Sequence, residues 1–287
     1  MKPSSCVIVL LTFNSAAIIR ETIGQARKVS NNIFVVDSGS TDGTLDLLSN
    51  NGCDVRQREF VSYSDQRNWA MDAVSADFDW QLHLDADEVL DDQAISEILA
   101  ILKGTALYDA YMLKRRDYFL GQMLRFSGLN PWHVRLFRPA AARCENRLYD
   151  QHFVPQSTVG KLGGFMHDKN ALTLSEWISR HNRWSDLEVA QILYRANSSG
   201  TLKGRILGNP IERTRFYKQL FYHFPDGLRS VLYFFYRYII RLGFLDGRAG
   251  FYFSFFQALW FRVLVDAKLR VARNSPFTDA NRPNIDT

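Results

Sequence analysis

The chain has 287 residues, of which 46% are hydrophobic and 23% charged, which fits one large globular domain, or one domain with an appendage, and excludes a disordered chain. Its three cysteines are scattered without metal-type spacing, which excludes a disulfide framework and favours a reducing compartment. The net charge of +5 is uneven, with −3 over residues 1–199, +9 over residues 200–273 and −1 in the tail. The stretch CVIVLL is too short for a signal peptide, and no apolar run reaches the roughly 18 residues of a membrane-spanning helix.

The first third of the chain alternates strand-like and helix-like segments. Apolar, β-branched runs predict strands over residues 6–11, 32–36, 53–57 and 80–84. Helices are predicted over residues 16–29, 42–48, 64–74 and 92–102, with Thr41 as the N-cap of the second. This alternation indicates an α/β fold with a mainly parallel, doubly wound sheet, in which ligands bind beyond the carboxyl ends of the strands.

The remainder of the chain is less regular. Residues 110–168 are rich in arginine, histidine and aromatic side chains, as expected of one wall of a cleft. A further helix is predicted over residues 174–197. Aromatic residues, leucine and arginine dominate residues 215–273, whereas residues 274–287 lack apolar periodicity and are predicted to form a flexible tail.

Polar clusters follow three of the predicted strands: TFNS, DSGSTDG and DADE. Because parallel strands end at the same edge of a sheet, these clusters are expected to lie together. In the second cluster, Asp37 can accept hydrogen bonds from a base or ribose, and Gly39 and Gly43 permit tight turns. The cluster matches neither the dinucleotide fingerprint nor the phosphate-binding loop of nucleotide hydrolases.

The third cluster places three carboxylates, Asp85, Asp87 and Glu88, at the end of a buried strand. Like charges this close repel, so a cation is expected among them. A hard divalent ion such as Mg²⁺ prefers carboxylate oxygen and often bridges to phosphate, which points to a metal that holds a diphosphate. The alternative is a solvated acidic turn that caps the next helix.

The segments VIVLLTFN, FVVDSGSTDGT, YSDQRNWAM and LHLDADE, in this order and spacing, resemble the nucleotide-sugar domain of the family 2 glycosyltransferases, which have the GT-A fold. The resemblance covers about residues 5–105. The middle and the C-terminal part are more loosely similar to the WaaE-like branch of lipopolysaccharide-core glycosyltransferases.

This resemblance implies roles for individual residues on the donor side. Thr12, Phe13 and Asn14 match the first nucleotide-contacting segment, in which many relatives have an acidic residue where this chain has Ser15. Asp37 and Ser38 match residues near the base. Arg67 matches a basic residue near the diphosphate.

The resemblance also implies a metal site. Asp85, Ala86 and Asp87 match the Asp-x-Asp motif, with Asp87 as the direct metal ligand. His167, in GFMHD, is expected to complete the metal shell as an imidazole ligand, although a lone histidine is more often structural.

An inverting transfer needs a carboxylate that takes the proton from the acceptor hydroxyl. Asp150, in LYDQH, is the first candidate for this base. Glu145 is the second candidate and Asp117 the third. His133 and Arg135, in NPWHVRLF, are candidates for the acceptor pocket.

The basic, aromatic C-terminal region suits helices that lie in the headgroup plane of an anionic membrane. The alternative is a core-packed helical hairpin with solvated arginines. Nucleic acid is not expected as a partner, because the aromatic residues are too numerous and too apolar to be stacking platforms alone.

Four regions are therefore predicted. Residues 1–105 bind the nucleotide sugar, residues 106–200 bind the acceptor and carry the base, residues 201–273 associate with a membrane, and residues 274–287 form the tail. The predicted activity is inverting, metal-dependent transfer of a sugar, with Mn²⁺ or Mg²⁺, from a nucleotide sugar, expected to be a uridine nucleotide, to a hydroxyl of a lipid-linked or lipopolysaccharide-type glycan. The expected location is cytoplasmic, on the inner face of a bacterial plasma membrane. Rival hypotheses are a polyprenyl-phosphate sugar transferase and a catalytically silent nucleotide-sugar-binding protein.

Overall fold

A computed structural model describes residues 5–169, 172–194 and 202–274 of the chain. The chain folds into two compact units whose segments alternate along the sequence between residues 117 and 171. The first unit comprises Met1–Arg116, Asn130–Asn146 and Gln151–Ala171, and the second comprises Asp117–Leu129, Arg147–Asp150 and Leu172–Thr287. The four functional regions predicted from the sequence remain predictions.

The first four strands and the first four helices follow the predicted alternation closely, whereas the strands after β4 were not predicted. The strands are β1 (Cys6–Thr12), β2 (Ile33–Asp37), β3 (Asp54–Gln57), β4 (Trp80–Asp85), β5 (Glu88–Leu90), β6 (Ala110–Phe119), β7 (Gln122–Met123), β8 (Trp132–Phe137), β9 (Ala142–Cys144), β10 (Phe153–Pro155) and β11 (Gly160–Asp168). The helices of the first unit are α1 (Ile19–Ala26), α2 (Thr44–Asn50), α3 (Tyr63–Val74) and α4 (Asp92–Ala100).

The main sheet is mixed, and the expectation of a mainly parallel sheet is corrected. Its strand order is β3-β2-β1-β4-β8-β6-β11-β5. The strands β3, β2, β1 and β4 run parallel, whereas β8 is antiparallel to both β4 and β6, and β11 is antiparallel to β5. Parallel neighbours need a crossover, which α1, α2 and α3 supply, while β6 and β8 are joined without a helix and so can only pair antiparallel.

The core of the first unit lies on both faces of β1, which explains the continuous apolar sequence of that strand. One face packs against α1 and α4 through residues such as Ile8, Leu10, Ile23, Leu82 and Ile98. The other face packs against α3 through Val7, Val9, Phe34, Val36, Ala70 and Val74. Cys6 and Cys144 are buried free thiols, and burial raises the pKa of each to about 12.

Two predicted helix starts are wrong. The second helix begins at Thr44, and its N-cap position is held by Gly43, whose φ of 86° lies in the left-handed region that favours glycine. Thr41 is therefore not the cap, and Asp42 Oδ1 accepts the Thr44 N–H at 3.1 Å instead. The first helix begins only at Ile19, because Asp42 Oδ2 also accepts the Ala16 N–H at 3.0 Å and holds that segment in a turn.

The second unit is largely helical. Its helices are α5 (Leu174–Tyr194), α6 (Pro210–Phe221), α7 (Leu228–Phe235), α8 (Gly247–Phe253) and α9 (Phe261–Asn274). Wider π-type turns continue α7 over Tyr236–Ile240 and join α8 to α9 over Ser254–Trp260, and a 3₁₀ turn spans Gly243–Asp246. In the part of the chain that the structure describes, no helix has the length and apolar character needed to cross a bilayer. The end of the predicted helix 174–197 beyond Tyr194, and the predicted tail from residue 275, fall outside the described residues.

Candidate active site

Three polar segments meet at one edge of the sheet in the first unit. Thr12 at the end of β1 is paired with Asp37 at the end of β2, and Leu11 is paired with Asp85 at the end of β4. The prediction that these segments share an edge is confirmed. It is the edge at which doubly wound sheets bind their ligands.

Asp37 organises the loop that follows β2. The residue is fully buried, and its Oδ2 accepts hydrogen bonds from the hydroxyls of Thr12 at 2.7 Å and Ser40 at 2.6 Å. Its Oδ1 accepts the backbone N–H groups of Gly39 at 3.0 Å and Ser40 at 2.8 Å. Ser38 is half-buried, and its hydroxyl accepts a hydrogen bond from Gln66 at 3.2 Å. Asp37 therefore shapes this loop, and any contact with a bound base has to be made beside these hydrogen bonds.

The loops after β1 and β2 are fastened to each other through Asn14. The backbone N–H of Asn14 donates to Ser40 Oγ at 2.8 Å, and its side-chain oxygen accepts the Thr41 N–H at 2.9 Å. This arrangement leaves the ring of Phe13 60% exposed beside the two loops. An exposed aromatic ring held on a fixed loop can stack on a nucleobase.

Asp85 lies between two arginines. Its Oδ1 accepts from Arg67 Nη2, and its Oδ2 accepts from Arg135 Nη2 at 2.9 Å. Burial alone would raise the pKa of Asp85, but Arg135 and Arg67 outweigh it and hold that pKa well below its ordinary value. The cation expected beside this carboxylate is therefore supplied, at Asp85, by the protein itself.

Arg135 also holds Glu88, which was noted in the sequence only as part of the acidic cluster. Arg135 Nη2 donates to Glu88 Oε1 at 2.6 Å, and Glu88 Oε2 accepts the Asp85 N–H at 3.0 Å. Both side chains are buried. Burial raises the pKa of Glu88, and Arg135 opposes that rise. Arg135 was a candidate for the acceptor pocket, but the structure places it inside the acidic cluster.

Arg67 is not a solvated helix arginine. It projects from α3, is buried, and donates to the carbonyl oxygen of Leu84 at 3.3 Å through both terminal nitrogens. Its ring neighbour is Phe153, 5.9 Å from the guanidinium carbon. Arg67 is thus fixed at the end of β4, and its contact with a diphosphate remains a prediction.

The Asp-Ala-Asp turn is fixed from the opposite side by α1. Thr22 Oγ1 donates to the carbonyl oxygen of Ala86 at 2.7 Å, with both groups buried. No local motif marks Thr22, because its partner lies 64 residues away along the chain. Ala86 therefore serves in the structure through its backbone, which sets the direction of the two flanking aspartates.

Asp87 and His167 lie on the same face of the β5–β11 ladder. His167 is paired with Val89, and the Lys169 N–H donates to the Asp87 carbonyl at 2.9 Å, so the pairing continues to Asp87. Residues two apart on a strand share a face, which puts His167 diagonally across from Asp87. Burial lowers the pKa of His167, which favours the neutral imidazole that a metal requires.

A cavity of about 350 Å³ opens beside Asp87 and is lined by the first turn of α1 and by Lys169. Over residues 5–169, 172–194 and 202–274, no three His, Cys, Asp or Glu side chains are gathered to hold a metal by themselves. Asp85, Asp87 and His167 therefore do not form a ready three-residue cage, since both oxygens of Asp85 are engaged by arginines. The residues do fit an ion held by one carboxylate together with substrate phosphates, as Mg²⁺ commonly is.

Glu145 supports a hairpin at the side of the first unit. It follows β9, is buried, and accepts the His152 N–H at 3.1 Å. The ring of His152 lies 5.4 Å from that of His133, with the planes 24° apart. The hydrogen bond of Glu145 fixes the return of the chain into β10, and its role as a base remains a prediction.

Asp150 belongs to the second unit and adopts a left-handed backbone conformation, with φ of 59°. Its carboxylate lies 3.4 Å from Lys218 Nζ, and its carbonyl accepts from Arg215 at 3.3 Å. Asp117, the third candidate base, is buried in the same unit and accepts the Leu129 N–H at 2.6 Å. Asp150 is the more accessible of these two, and its role as a base remains a prediction.

Residues 7–177 match the family model described as Glycosyl transferase family 2. The match covers more than half of the chain and extends from the second residue of β1 to beyond the end of β11. The chain belongs to glycosyl transferase family 2. It is therefore a glycosyltransferase, and the resemblance read from the four sequence segments is confirmed.

Two curated relatives extend the likeness beyond the sheet. The chain is 29% identical over 234 residues to "Lipopolysaccharide core biosynthesis glycosyltransferase LpsC" of Rhizobium meliloti, a match that covers 76% of this chain and 77% of the relative. It is 27% identical over 275 residues to an uncharacterized glycosyltransferase of Rickettsia bellii, covering 91% of this chain and 84% of that protein. These matches agree with the resemblance to lipopolysaccharide-core glycosyltransferases.

A solved structure shares the fold. The mannosyltransferase PcManGT from Pyrobaculum calidifontis, solved in complex with GDP-Man and Mn²⁺, aligns with a TM-score of 0.52 at 11% identity. The alignment covers 96% of this chain and 89% of that protein. The GT-A-like α/β fold expected from the sequence is confirmed, with the mixed sheet described above.

Proposed function

We propose that this glycosyltransferase moves a sugar, with inversion, from a nucleotide sugar to a hydroxyl of a lipid-linked or lipopolysaccharide-type glycan. The observation that carries the proposal is the convergence of Thr12, Asp37 and Asp85 on one sheet edge, with Phe13 exposed and Asp87 beside a cavity. The donor class follows from the family, and a uridine nucleotide is the expected donor.

The loops after β1 and β2 are proposed to bind the nucleoside. Phe13 offers an exposed ring for the base, and Asn14 and Ser38 lie on the two loops that the Asn14–Ser40 hydrogen bond holds together. Asp37 acts mainly by fixing the loop, because its oxygens already accept hydrogen bonds from Thr12, Gly39 and Ser40.

Asp87 is proposed as the main protein ligand of a Mn²⁺ or Mg²⁺ ion, with His167 as a second ligand. Such an ion offsets charge on the departing diphosphate and orients it. Asp85 is proposed to act on the diphosphate indirectly, by holding Arg67 and Arg135 at the end of β4. Arg67 is then placed to meet negative charge that develops at the leaving group.

Asp150 is proposed as the base that takes the proton from the acceptor hydroxyl, with Glu145 as the alternative. A base has to be accessible, and Asp150 is only half-buried, with its carboxylate 3.4 Å from Lys218 Nζ. Glu145 is buried and engaged by the His152 N–H. In a polyprenyl-phosphate transferase the acceptor is already an anion, so replacing Asp150 would have little effect.

The second unit is proposed to hold the enzyme at an anionic membrane surface, peripherally and on the cytoplasmic side. Its net charge of +9 over residues 200–273 suits such a surface. This location would give the site access to a lipid-linked acceptor.

The test is nucleotide release from a panel of UDP- and GDP-sugars with Mn²⁺ or Mg²⁺, using detergent-extracted bacterial membrane lipid as acceptor. Asp87→Asn is expected to lower metal-dependent release by about a hundredfold or more, because the leaving diphosphate loses its counterion. Asp46→Asn, an exposed aspartate on α2, is the matched control and should leave the rate unchanged. Undiminished nucleotide binding without release from any donor would instead identify a silent binding protein.

A further inference from the structure

Helix α7 exposes most of its apolar side chains and buries polar ones. Seven of its apolar side chains are exposed and recur at helical spacing: Leu228, Val231, Leu232, Phe235 and, in the following turn, Tyr236, Ile239 and Ile240. Tyr233, Phe234 and Tyr238 are half-buried, and the fully buried positions of this stretch are polar: Arg229, Ser230 and Arg237. A surface helix of a soluble protein has the reverse arrangement, with its apolar stripe toward the core.

The first buried arginine fixes this orientation through Asp266 on α9. Arg229 Nε donates to Asp266 Oδ1 at 3.1 Å, and its Nη2 reaches the same oxygen. Arg229 Nη1 also donates to the carbonyl oxygens of Tyr222 at 3.1 Å and Phe224 at 3.2 Å. Rotating α7 to hide its apolar side would break this pair and leave charge buried without a partner.

A second buried arginine, Arg237, fixes the turn that follows α7. We call the Arg229–Asp266 pair the first clamp and the contacts of Arg237 and Asp246 with residues 125–127 the second clamp. Arg237 Nη2 donates to the carbonyl of Ser127. The carboxylate of Asp246 accepts the N–H groups of Arg125 at 3.1 Å, Phe126 at 2.9 Å and Ser127 at 2.7 Å. Residues 125–127 are thus fixed between Arg237 and Asp246, and the outward side of α7 cannot turn in.

The exposed surface continues past α7. Leu242, Phe244 and Leu245 extend it through the 3₁₀ turn, and Phe251, Tyr252 and Phe255 extend it along α8 and the turn beyond. We call these six residues, with the seven exposed apolar residues of α7 and its turn, the apolar face. Ring contacts tie it together, with Tyr238 5.6 Å from Phe251 and 6.3 Å from Phe244. A Cβ on Gly250 would lie 2.2 Å from the Gly243 carbonyl, so the turn and α8 are packed as closely as glycine allows.

The exposed charge of segment 202–274, which carries the apolar face, is mostly positive. The exposed cations of this segment are Lys203, Arg205, Arg213, Arg241, Arg248, Arg270 and Arg273. Among the four acidic residues of segment 202–274, Asp246 and Asp266 are buried in the clamps, Glu212 caps α6, and Asp226 alone is exposed. The clamps therefore hide negative charge while they expose apolar surface, and both changes suit an anionic lipid headgroup layer.

We propose that the apolar face inserts into one leaflet of an anionic bilayer, with Arg241 and Arg248 at the headgroup level. This inference deepens the membrane part of the proposed function and does not depend on the transfer chemistry. A second copy of the chain is disfavoured as the occupant, because two such faces would bring cationic rims together. Insertion buries the side chains of α7 without requiring any helix to cross the bilayer.

The first experiment is co-sedimentation of the full chain with phosphatidylcholine vesicles, with and without phosphatidylglycerol. The wild type is expected to bind the anionic vesicles, and Phe235→Ser/Ile240→Ser is expected to bind about tenfold more weakly or worse. The matched control is Val61→Ser/Leu107→Ser, in which the replaced side chains are 58% and 85% exposed, against 54% and 71% in the test pair. Equal binding by the test pair and the wild type would overturn the proposal.

A second experiment reports insertion directly. An environment-sensitive fluorophore on Ile240→Cys, in a Cys53→Ser background, is expected to shift to the blue with anionic vesicles, whereas the same label on Leu107→Cys is not. A concentration-dependent dimer in light scattering that the Phe235→Ser/Ile240→Ser pair abolishes would show that a second copy covers the face, and would overturn the proposal. Donor hydrolysis in solution, measured on the same variants, separates this outcome from a failure of the transferase proposal.

Discussion

The first unit buries ion pairs at the polar edge of a sheet, where β1, β2 and β4 end, whereas the second buries them beneath helices whose apolar sides are exposed. In the first unit, Arg135 joins Asp85 to Glu88 at the end of β4. In the second, Arg229 joins α7 to Asp266 on α9. Both interactions join an arginine to a carboxylate, but the exposed surface beside Arg135 is polar and the exposed surface beside Arg229 is apolar.

The difference follows from one constraint. A buried guanidinium has to keep its carboxylate, so the side of an element that carries the pair is forced inward. At the end of β4 this engages Asp85 and keeps the arginines at the polar edge of the sheet. On α7 it leaves leucine, isoleucine and phenylalanine outside. The same interaction thus prepares a polar site in one unit and an apolar surface in the other.

The largest effect on stability is expected from Arg135→Met in the first unit. The substitution leaves Glu88 buried without a guanidinium, while Asp85 keeps Arg67, and it should lower the free energy of unfolding by about 3–5 kcal/mol. Urea unfolding monitored by circular dichroism measures this loss. Adding Glu88→Gln removes the stranded charge and should recover part of the stability.

Arg56→Met is the control for that prediction, because Arg56 forms an exposed pair with Asp54 on β3. It should cost less than about 1 kcal/mol. Equal losses for Arg56→Met and Arg135→Met, or no recovery on adding Glu88→Gln, would mean that the Arg135–Glu88 pair does not hold the edge together.

The second unit allows a sharper comparison, because Arg229 has one buried and one exposed carboxylate. Asp266→Asn should lower the free energy of unfolding by about 3 kcal/mol, since it removes the partner of a buried cation. Asp226 lies 3.0 Å from Arg229 but is half in solvent, so Asp226→Asn should cost at most about 1 kcal/mol. Denaturant unfolding of the two variants measures both losses of stability. Similar losses would contradict the expectation that the buried Arg229–Asp266 pair fixes α7.

His181 on α5 gives the second unit a dependence on pH. Burial lowers the pKa of His181 to about 4, and its Nδ1 donates to the Trp177 carbonyl at 2.9 Å. The unfolded chain takes up the proton near pH 6.5 and the folded chain only near pH 4, so this contribution to stability is complete above pH 6.5 and is lost as the pH falls toward 4. The loss should amount to about 2–3 kcal/mol.

The measurement is urea unfolding of the wild type and His181→Gln across that range. The difference in stability between the two proteins should shrink as the pH falls. A difference that stays constant from pH 7 to pH 4 would show that His181 titrates alike in both states.

Local patterns were sufficient to predict the first four strands, β1 to β4, and the edge that they share. CVIVLL can be read as a buried strand because β1 is covered on both faces, and the polar clusters mark the strand ends without further information. Thr41 failed as a cap because Asp42 competes for the same N–H group, and both side chains suit the role. Arg135 could not be placed, since its partners depend on the pairing of β8 with β4, about 50 residues apart.

The second unit was harder for a related reason. Helical periodicity showed an apolar side and a polar side on α7, but it carries no information on which side faces inward. That choice depends on Asp246 and on Asp266, which lies 37 residues after its partner Arg229. Both look like ordinary surface acids in the sequence. The arginines were expected to be solvated or at headgroup level, and Arg229 and Arg237 are buried instead.

The smallest effect is expected from Thr22, and it tests whether the sheet edge depends on the single hydrogen bond between the Thr22 hydroxyl and the Ala86 carbonyl. Thr22→Val keeps the shape of the side chain but leaves the Ala86 carbonyl without its donor, at a cost of about 1–2 kcal/mol. Because that carbonyl lies between Asp85 and Asp87, the Mn²⁺ concentration for half-maximal activity should also rise, by about two- to tenfold. Thr22→Ser retains the hydroxyl and should behave as the wild type. A stability loss with an unchanged metal requirement would mean that Thr22 supports α1 alone, and that Asp87 is positioned by the β5–β11 ladder without help from the helix.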